Sequence, residues 1–248
     1  MSNEGKHAGG LSRRQIFDGA ALASLGLAAA SRATAAADED PKIEPLPNFK
    51  FNIENQKGWQ GEGGSAKEAT VAEFPISQSI AGVSMRLKPG SIRELHWHSL
   101  AAEWAYMLEG RCRATVSSPN GQSEITDFGR GDTWYFPRGH GHALQGLGPG
   151  ECHFLLGFDN GHFSEYGTFS ITDWVATTPP HIVSRTLGIP ESMVAQLPKK
   201  EVYIGTGKVP ETPIETLRDA ALQPSQSSHK YRSICSRPRS FRAGANTW

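Results

Sequence analysis

Cysteine is scarce, with three in 248 residues, at positions 112, 152 and 235. Cys112, Cys152 and Cys235 form neither a close metal-binding pair nor an even disulfide framework, and they read as buried or inert thiols. Net charge is missing too: 25 Lys and Arg balance 25 Asp and Glu. That balance excludes nucleic acid as the expected partner, because such binding is driven by neutralising phosphates. Long apolar runs are absent beyond the N-terminal stretch, and none approaches the ~18 residues of a membrane span, so no membrane association is expected of the mature chain. The length and a 38% hydrophobic content leave enough material for a core that needs no disulfide or metal merely to stay folded.

Charge is unevenly spread. Residues 1–37 hold four of the basic and two of the acidic residues, and 214–248 hold six and two, which leaves 15 basic against 21 acidic over 38–213. The first end reads as an export signal: Ser12-Arg13-Arg14-Gln15-Ile16-Phe17 precedes an uncharged Ala/Leu/Gly run from Gly19 to Ala30, and Ala33-Thr34-Ala35 and Ala35-Ala36-Ala37 both suit cleavage. The paired arginines resemble a twin-arginine signal, which predicts a periplasmic or secreted protein. Residues 38–48 are expected to be a linker. Over 211–248, and most clearly from Gln223, the text is rich in Ser, Arg and Pro without apolar period. It reads as a disordered tail, truncated or frame-shifted.

Between 49 and 210 the pattern is short strands with turn punctuation. Ala81, Val83, Met85 and Leu87 alternate with smaller or polar neighbours until Lys88-Pro89-Gly90; Trp104–Leu108 is an apolar run closed by Gly110. Arg111–Val116 leads through Pro119-Asn120-Gly121 into Ser123–Phe128, and strands follow at Trp134–Phe136, His142–Leu147 and Cys152–Phe158. Strands of that length and spacing predict an all-β fold, an antiparallel barrel or sandwich, with short C-terminal helices near His181–Leu187 and Pro190–Leu197.

The candidate chemistry begins at His96 and His98, which share one face of a strand while Trp97 points away. Glu103 opens the next strand and can return to the same spot, and His142 supplies a third imidazole. Three imidazoles and one carboxylate suit a divalent metal that accepts both nitrogen and oxygen; without a thiolate nearby, zinc and copper(I) are disfavoured. Four protein ligands on six-coordinate manganese or iron leave two positions for water, substrate or dioxygen.

Gly-x5-His-x-His-x4-Glu-x6-Gly, from Gly90 to Gly110, and Gly-x5-Pro-x-Gly-x2-His, from Gly131 to His142, resemble the two motifs of the cupin superfamily. This implies a single cupin domain over 49–210, a double-stranded β-helix or jelly-roll barrel. The second spacing selects His142 rather than His140, and Gly146 stands where many cupins have Asn. Within cupins, MRLKPGSIRELHWH, EWAYML, GDTWYFPRGHGH and FLLGFDNGHFSEYGTFSITDWVATTP are similar to the N-terminal cupin of bacterial oxalate decarboxylases.

That resemblance implies Mn(II) bound by His96, His98, Glu103 and His142, oxalate as substrate, and cleavage to formate and carbon dioxide with dioxygen as a redox partner not consumed overall. It implies further that Arg93 holds and polarises oxalate, and that Glu165, on a mobile lid at Ser164-Glu165-Tyr166-Gly167, acts as general acid and base. Two-residue periodicity puts Arg93 on the face opposite His96, so the role requires irregular backbone before the strand. Tyr166-Gly167 departs from the Asn-Ser common in the family. The alternatives are an oxalate oxidase that makes hydrogen peroxide and a non-catalytic metal- or oxalate-binding cupin. The family's proteins carry two barrels where this chain offers one, so a homo-oligomer is the expected partner arrangement.

Overall fold

The computed structural model describes residues 46–219, 224–225 and 227–232. The export signal expected over 1–37, most of the linker over 38–48, and Cys235 lie outside them.

Among the described residues thirteen strands follow in chain order: β1 Trp59–Gly61, β2 Gly64–Ala69, β3 Ala81–Leu87, β4 Ile92–Trp97, β5 Glu103–Glu109, β6 Arg111–Ser117, β7 Ser123–Gly129, β8 Asp132–Phe136, β9 Gly141–Gly146, β10 Cys152–Phe158, β11 Phe169–Ser170, β12 Ile204–Gly205 and β13 Lys230–Arg232. Among the described residues four α-helices join them, α1 Ile171–Thr177, α2 Pro180–Leu187, α3 Glu191–Val194 and α4 Ile214–Asp219, besides 3-10 turns at Ile53–Asn55 and Glu165–Gly167. The strands form two antiparallel sheets, β1-β2-β3-β10-β5-β8-β13 and β11-β4-β9-β6-β7, with β12 beside β4. This is the expected all-β class with short C-terminal helices. Among the described residues no helix is long and apolar enough to cross a membrane.

Alternation along the strands decides which side chains fill the space between the sheets. Val83, Met85 and Leu87 of β3, Phe154, Leu156 and Phe158 of β10, and Trp134 and Phe136 of β8 all face inward and are buried, while Tyr135 between the last two is half exposed. Each such large apolar side chain contributes roughly 1.5–3 kcal/mol through burial. Cys112 and Cys152 are buried free thiols, as the sequence suggests. The tight link from β5 to β6 is made at Gly110, whose φ is 69° and where a Cβ would stand 2.6 Å from the Glu151 carbonyl oxygen, so only glycine fits.

Three differences from the sequence reading have identifiable causes. Helix α1 starts where Ser170 Oγ accepts the Asp173 amide at 3.4 Å, a capping pattern too short to stand out beside the strands. Strand β2 was hidden by its Gly, Ser, Ala and Lys content, yet it alternates with Gly64, Ala66 and Glu68 inward. The expectation of a disordered tail over 211–248 is corrected at 214–219 and 230–232, where the chain forms α4 and β13; 233–248 lie outside the described residues. Long-range polar contacts hold that segment: Lys230 Nζ lies 2.8 Å from Asp132, His229 Nδ1 lies 2.6 Å from Glu124, and β13 pairs with β8.

Candidate metal centre and its lid

The register of β4 against β9 brings the imidazoles together. His96 of β4 is paired directly with His142 of β9, and their ring centroids are 4.1 Å apart. His98 follows the end of β4, where its carbonyl accepts the Gly139 amide at 2.8 Å, and its ring lies 5.0 Å from each of the other two. Glu103, the first residue of β5, enters from the other sheet. Ligand atoms of His96, His98, Glu103 and His142 all lie within 4.8 Å of one another, and all four residues are buried.

Outer hydrogen bonds aim these groups. The Glu94 carbonyl accepts His96 Nδ1–H at 2.6 Å and the His140 carbonyl accepts His142 Nδ1–H at 2.9 Å, which turns both Nε2 atoms inward. His98 Nδ1 is 3.3 Å from the Thr168 hydroxyl. Trp134 Nε1–H donates to Glu103 Oε1 at 2.6 Å, while Glu103 Oε2 stands 2.9 Å from His98 Nε2 and 3.3 Å from His142 Nε2. Despite that proximity His142 Nε2 has no hydrogen-bond partner among the described residues. A buried, unpaired ring nitrogen beside a carboxylate and two further imidazoles fits a cation at the common centre. Burial alone would raise the Glu103 carboxyl, but His142 and His98 hold it well below the usual carboxylate range. Burial, helped by the charge of Arg93, pushes His96 well below the usual imidazole value. Neutral imidazole and ionised carboxylate are the forms that bind metal.

Arg93 lies within β4, three residues before His96, and both side chains are buried. The face conflict expected from strict alternation is resolved by a β-bulge: the four residues from Arg93 to His96 oppose the three from Leu144 to His142. The irregularity thus falls inside the strand rather than before it. Arg93 Nε–H donates to Glu165 Oε1 at 2.8 Å, Nη1–H to the Tyr203 carbonyl at 3.4 Å, and the guanidinium carbon lies 4.2 Å over the Tyr203 ring. Burial disfavours the guanidinium charge, but Glu165, together with Tyr203 and Glu201, more than offsets it and raises Arg93 above its ordinary value.

Glu165 sits in a 3-10 turn, Glu165–Gly167, and is 1% exposed. Its carboxylate hangs over the cluster, with Oε1 4.0 Å from His96 Nε2 and Oε2 3.9 Å from His98 Nε2. A cavity of about 260 Å³, lined in part by His98, Phe163, Ser164 and Thr168, opens beside it. Every residue singled out from the sequence therefore converges here, and His140 stays in the loop before β9. Trp134, Tyr203 and Glu94 were missed. Glu94 accepts the amides of Tyr203 and Thr172 at 2.8 and 3.0 Å, clipping β12 and α1 to β4. Their signals are contacts between distant segments.

Two antiparallel sheets closed around an inward His₃–Glu cluster define a jelly-roll barrel with a candidate mononuclear metal centre. The cupin family pattern matches residues 51–195, and the chain belongs to that family. It is 48% identical over 165 residues to the oxalate decarboxylase OxdC of Bacillus subtilis, which spans 66% of this chain and 42% of that protein. It is 38% identical over 148 residues to a probable oxalate decarboxylase of Arthroderma benhamiae, covering 59% of this chain and 36% of the relative. A solved structure of the B. subtilis enzyme, described for its Mn(II) centres, superposes with a TM-score of 0.75 at 40% identity, over 80% of this chain and 52% of that one. The chain spans less than half the length of these curated relatives.

Proposed function

We propose that this chain is an oxalate decarboxylase that converts hydrogen oxalate to formate and carbon dioxide, with Mn(II) held by His96, His98, Glu103 and His142 and with dioxygen as a redox partner not consumed overall. Similarity to OxdC supports the substrate, and the mixed nitrogen and oxygen donor set supports the metal. Bound there, the metal would supply a Lewis acid, a template for the substrate carboxylate and a redox centre.

The rest of the chemistry falls to the chain. Arg93 offers a charged, forked donor to a carboxylate, and its Nη2 has no partner among the described residues. Glu165 accepts the substrate proton as the C–C bond weakens, then returns it to the carbon left by departing carbon dioxide. The closed lid keeps bulk water from that carbon in the interval. The observation that carries this reading is the buried Arg93–Glu165 pair, 2.8 Å apart and suspended about 4 Å above two imidazoles.

Measuring products from oxalate under air with Mn-loaded protein tests it. One formate per carbon dioxide, with little peroxide, is expected. Peroxide with two carbon dioxides and no formate would make the chain an oxalate oxidase. Metal-loaded protein without either product would leave a non-catalytic cupin that binds metal or oxalate.

Export through a twin-arginine signal over 1–37, giving a periplasmic or secreted protein, is part of the same reading; its support is Arg13-Arg14, the Gly19–Ala30 run and the Ala35-Ala36-Ala37 site. Self-association is supported by apolar side chains on the short helices, where Trp174, Ile182 and Leu187 are 53%, 45% and 53% exposed. A stable monomer on size-exclusion chromatography would contradict it.

A further inference from the structure

Strand β2 turns Glu68 inward beside Ala66, leaving the carboxylate only 7% exposed. A buried carboxylate needs donors, and here they come from the lid. Ser164 Oγ–H reaches Oε1 at 2.9 Å and Oε2 at 3.2 Å, and the Glu165 backbone N–H donates to Oε2 at 3.0 Å. One residue further, the Tyr166 hydroxyl donates to the Ala66 carbonyl at 2.8 Å and accepts the Trp59 amide at 3.2 Å. Three consecutive lid residues are therefore tied to β1 and β2, and the first two bonds converge on one carboxylate. Burial pushes the Glu68 carboxyl up, while the Ser164 hydroxyl and the Glu165 amide pull it back.

We infer that Glu68 is a positioning residue: its carboxylate fixes the backbone at Glu165, and so holds the Glu165 carboxyl against Arg93 and over the metal cluster. The inference rests on the reading of Glu165 as the proton carrier. Arg93 and the Thr168 hydroxyl restrain only the end of a flexible side chain, whereas a bond at the Glu165 amide restrains the point from which that side chain grows. Without the Glu68 carboxylate, the turn at 164–167 keeps the Tyr166 contact and the side-chain bonds from Arg93 and Thr168 to Glu165, but loses the bonds that hold the Ser164 hydroxyl and the Glu165 backbone. Opening the lid toward solvent likewise requires the Glu68 bonds to break, which makes this carboxylate the closure point of the site.

The test compares the metal-loaded full chain with its E68A and E68Q variants by amide hydrogen exchange and by formate production. Loss of a charge-assisted bond should speed exchange at Glu165 at least tenfold in E68A, with β4 and β9 still protected and metal content unchanged. Formate kcat should fall tenfold or more in E68A with KM changed less than threefold, the signature of a displaced proton carrier rather than of lost binding. A glutamine oxygen can still accept the Glu165 amide, so E68Q should recover most of both properties. Should E68A lose protection throughout, E68D replaces it, because the shortened carboxylate withdraws from the lid without emptying the strand. Unchanged Glu165 exchange in a folded E68A or E68D overturns the inference, as does a fall in kcat that E68Q fails to rescue. If the parent protein makes no formate, the proposed reaction falls, while the exchange comparison still decides whether Glu68 holds the lid.

Discussion

Arg93 donates through Nε to Oε1 of Glu165 at 2.8 Å, with both side chains buried. This one bond joins the bulged strand to the lid, and so joins the candidate substrate anchor to the candidate proton carrier. A buried ion pair gains little over a matched apolar pair, but breaking it leaves an uncompensated charge. R93M should therefore destabilise the protein by about 3–5 kcal/mol, and R93M/E165M should recover much of that loss. Denaturant unfolding of the metal-free proteins measures both. A double variant as unstable as R93M would mean that the pair is not the source of the effect.

The two residues should also separate in kinetics. E165Q keeps the shape of the lid but cannot carry the proton, and formate kcat should drop by roughly 10²–10⁴-fold with a smaller change in KM. R93K loses the fork that matches a carboxylate, and KM for oxalate should rise. Steady-state assays at saturating metal read these outcomes; equal effects of both variants on KM alone would contradict the assigned division of labour.

Trp134 reaches the metal centre only through Glu103, whose Oε1 it donates to at 2.6 Å. W134F keeps an aromatic ring, although a smaller one, and removes the donor. Metal affinity should weaken by roughly 10–100-fold, the usual cost of losing an outer partner of a ligand. Competition with a chelator of known affinity gives the value directly, and an unchanged affinity would mean that the indole serves packing alone.

The segment around β13 should respond to acid. Burial would raise the Glu124 carboxyl, but the Ser228 hydroxyl and the His229 amide and ring outweigh it and hold it below its ordinary value of 4.5. A carboxyl lowered in the folded state contributes stability above its unfolded value, and that contribution disappears as pH falls through the lowered value. E124Q should cost about 1–2 kcal/mol at pH 7, and the gap to the parent should narrow as pH falls below the ordinary value of 4.5. A gap that persists at low pH would mean that the contact is not ionic.

The barrel and the four candidate ligands were legible because alternation and spacing are local. Two residues apart on a strand share a face, and His96 and His98 obey that rule; glycines at 90, 110, 131 and 139 take positive φ at the turns between strands. Arg93 was legible as a residue but not as a direction, because an inserted residue in β4 changes the count and nothing in the letters marks a bulge. Glu68 and Trp134 were not legible, since their partners lie 97 and 31 residues away. The order at 230–232 escaped notice for the same reason: Lys230 and His229 read as tail charges until Asp132 and Glu124 stand opposite them.

Metal content per chain, compared between the parent protein and a variant with both His142 and Glu103 changed to alanine, tests the account most directly. One tightly held Mn²⁺ per chain is expected in the parent, with a thermal midpoint that rises on metal addition, about 2.7 kcal/mol of added stability at a hundredfold excess over Kd. The double variant should bind none and show no such rise. Equal metal loading in both proteins would contradict the claim that His96, His98, Glu103 and His142 enclose the ion.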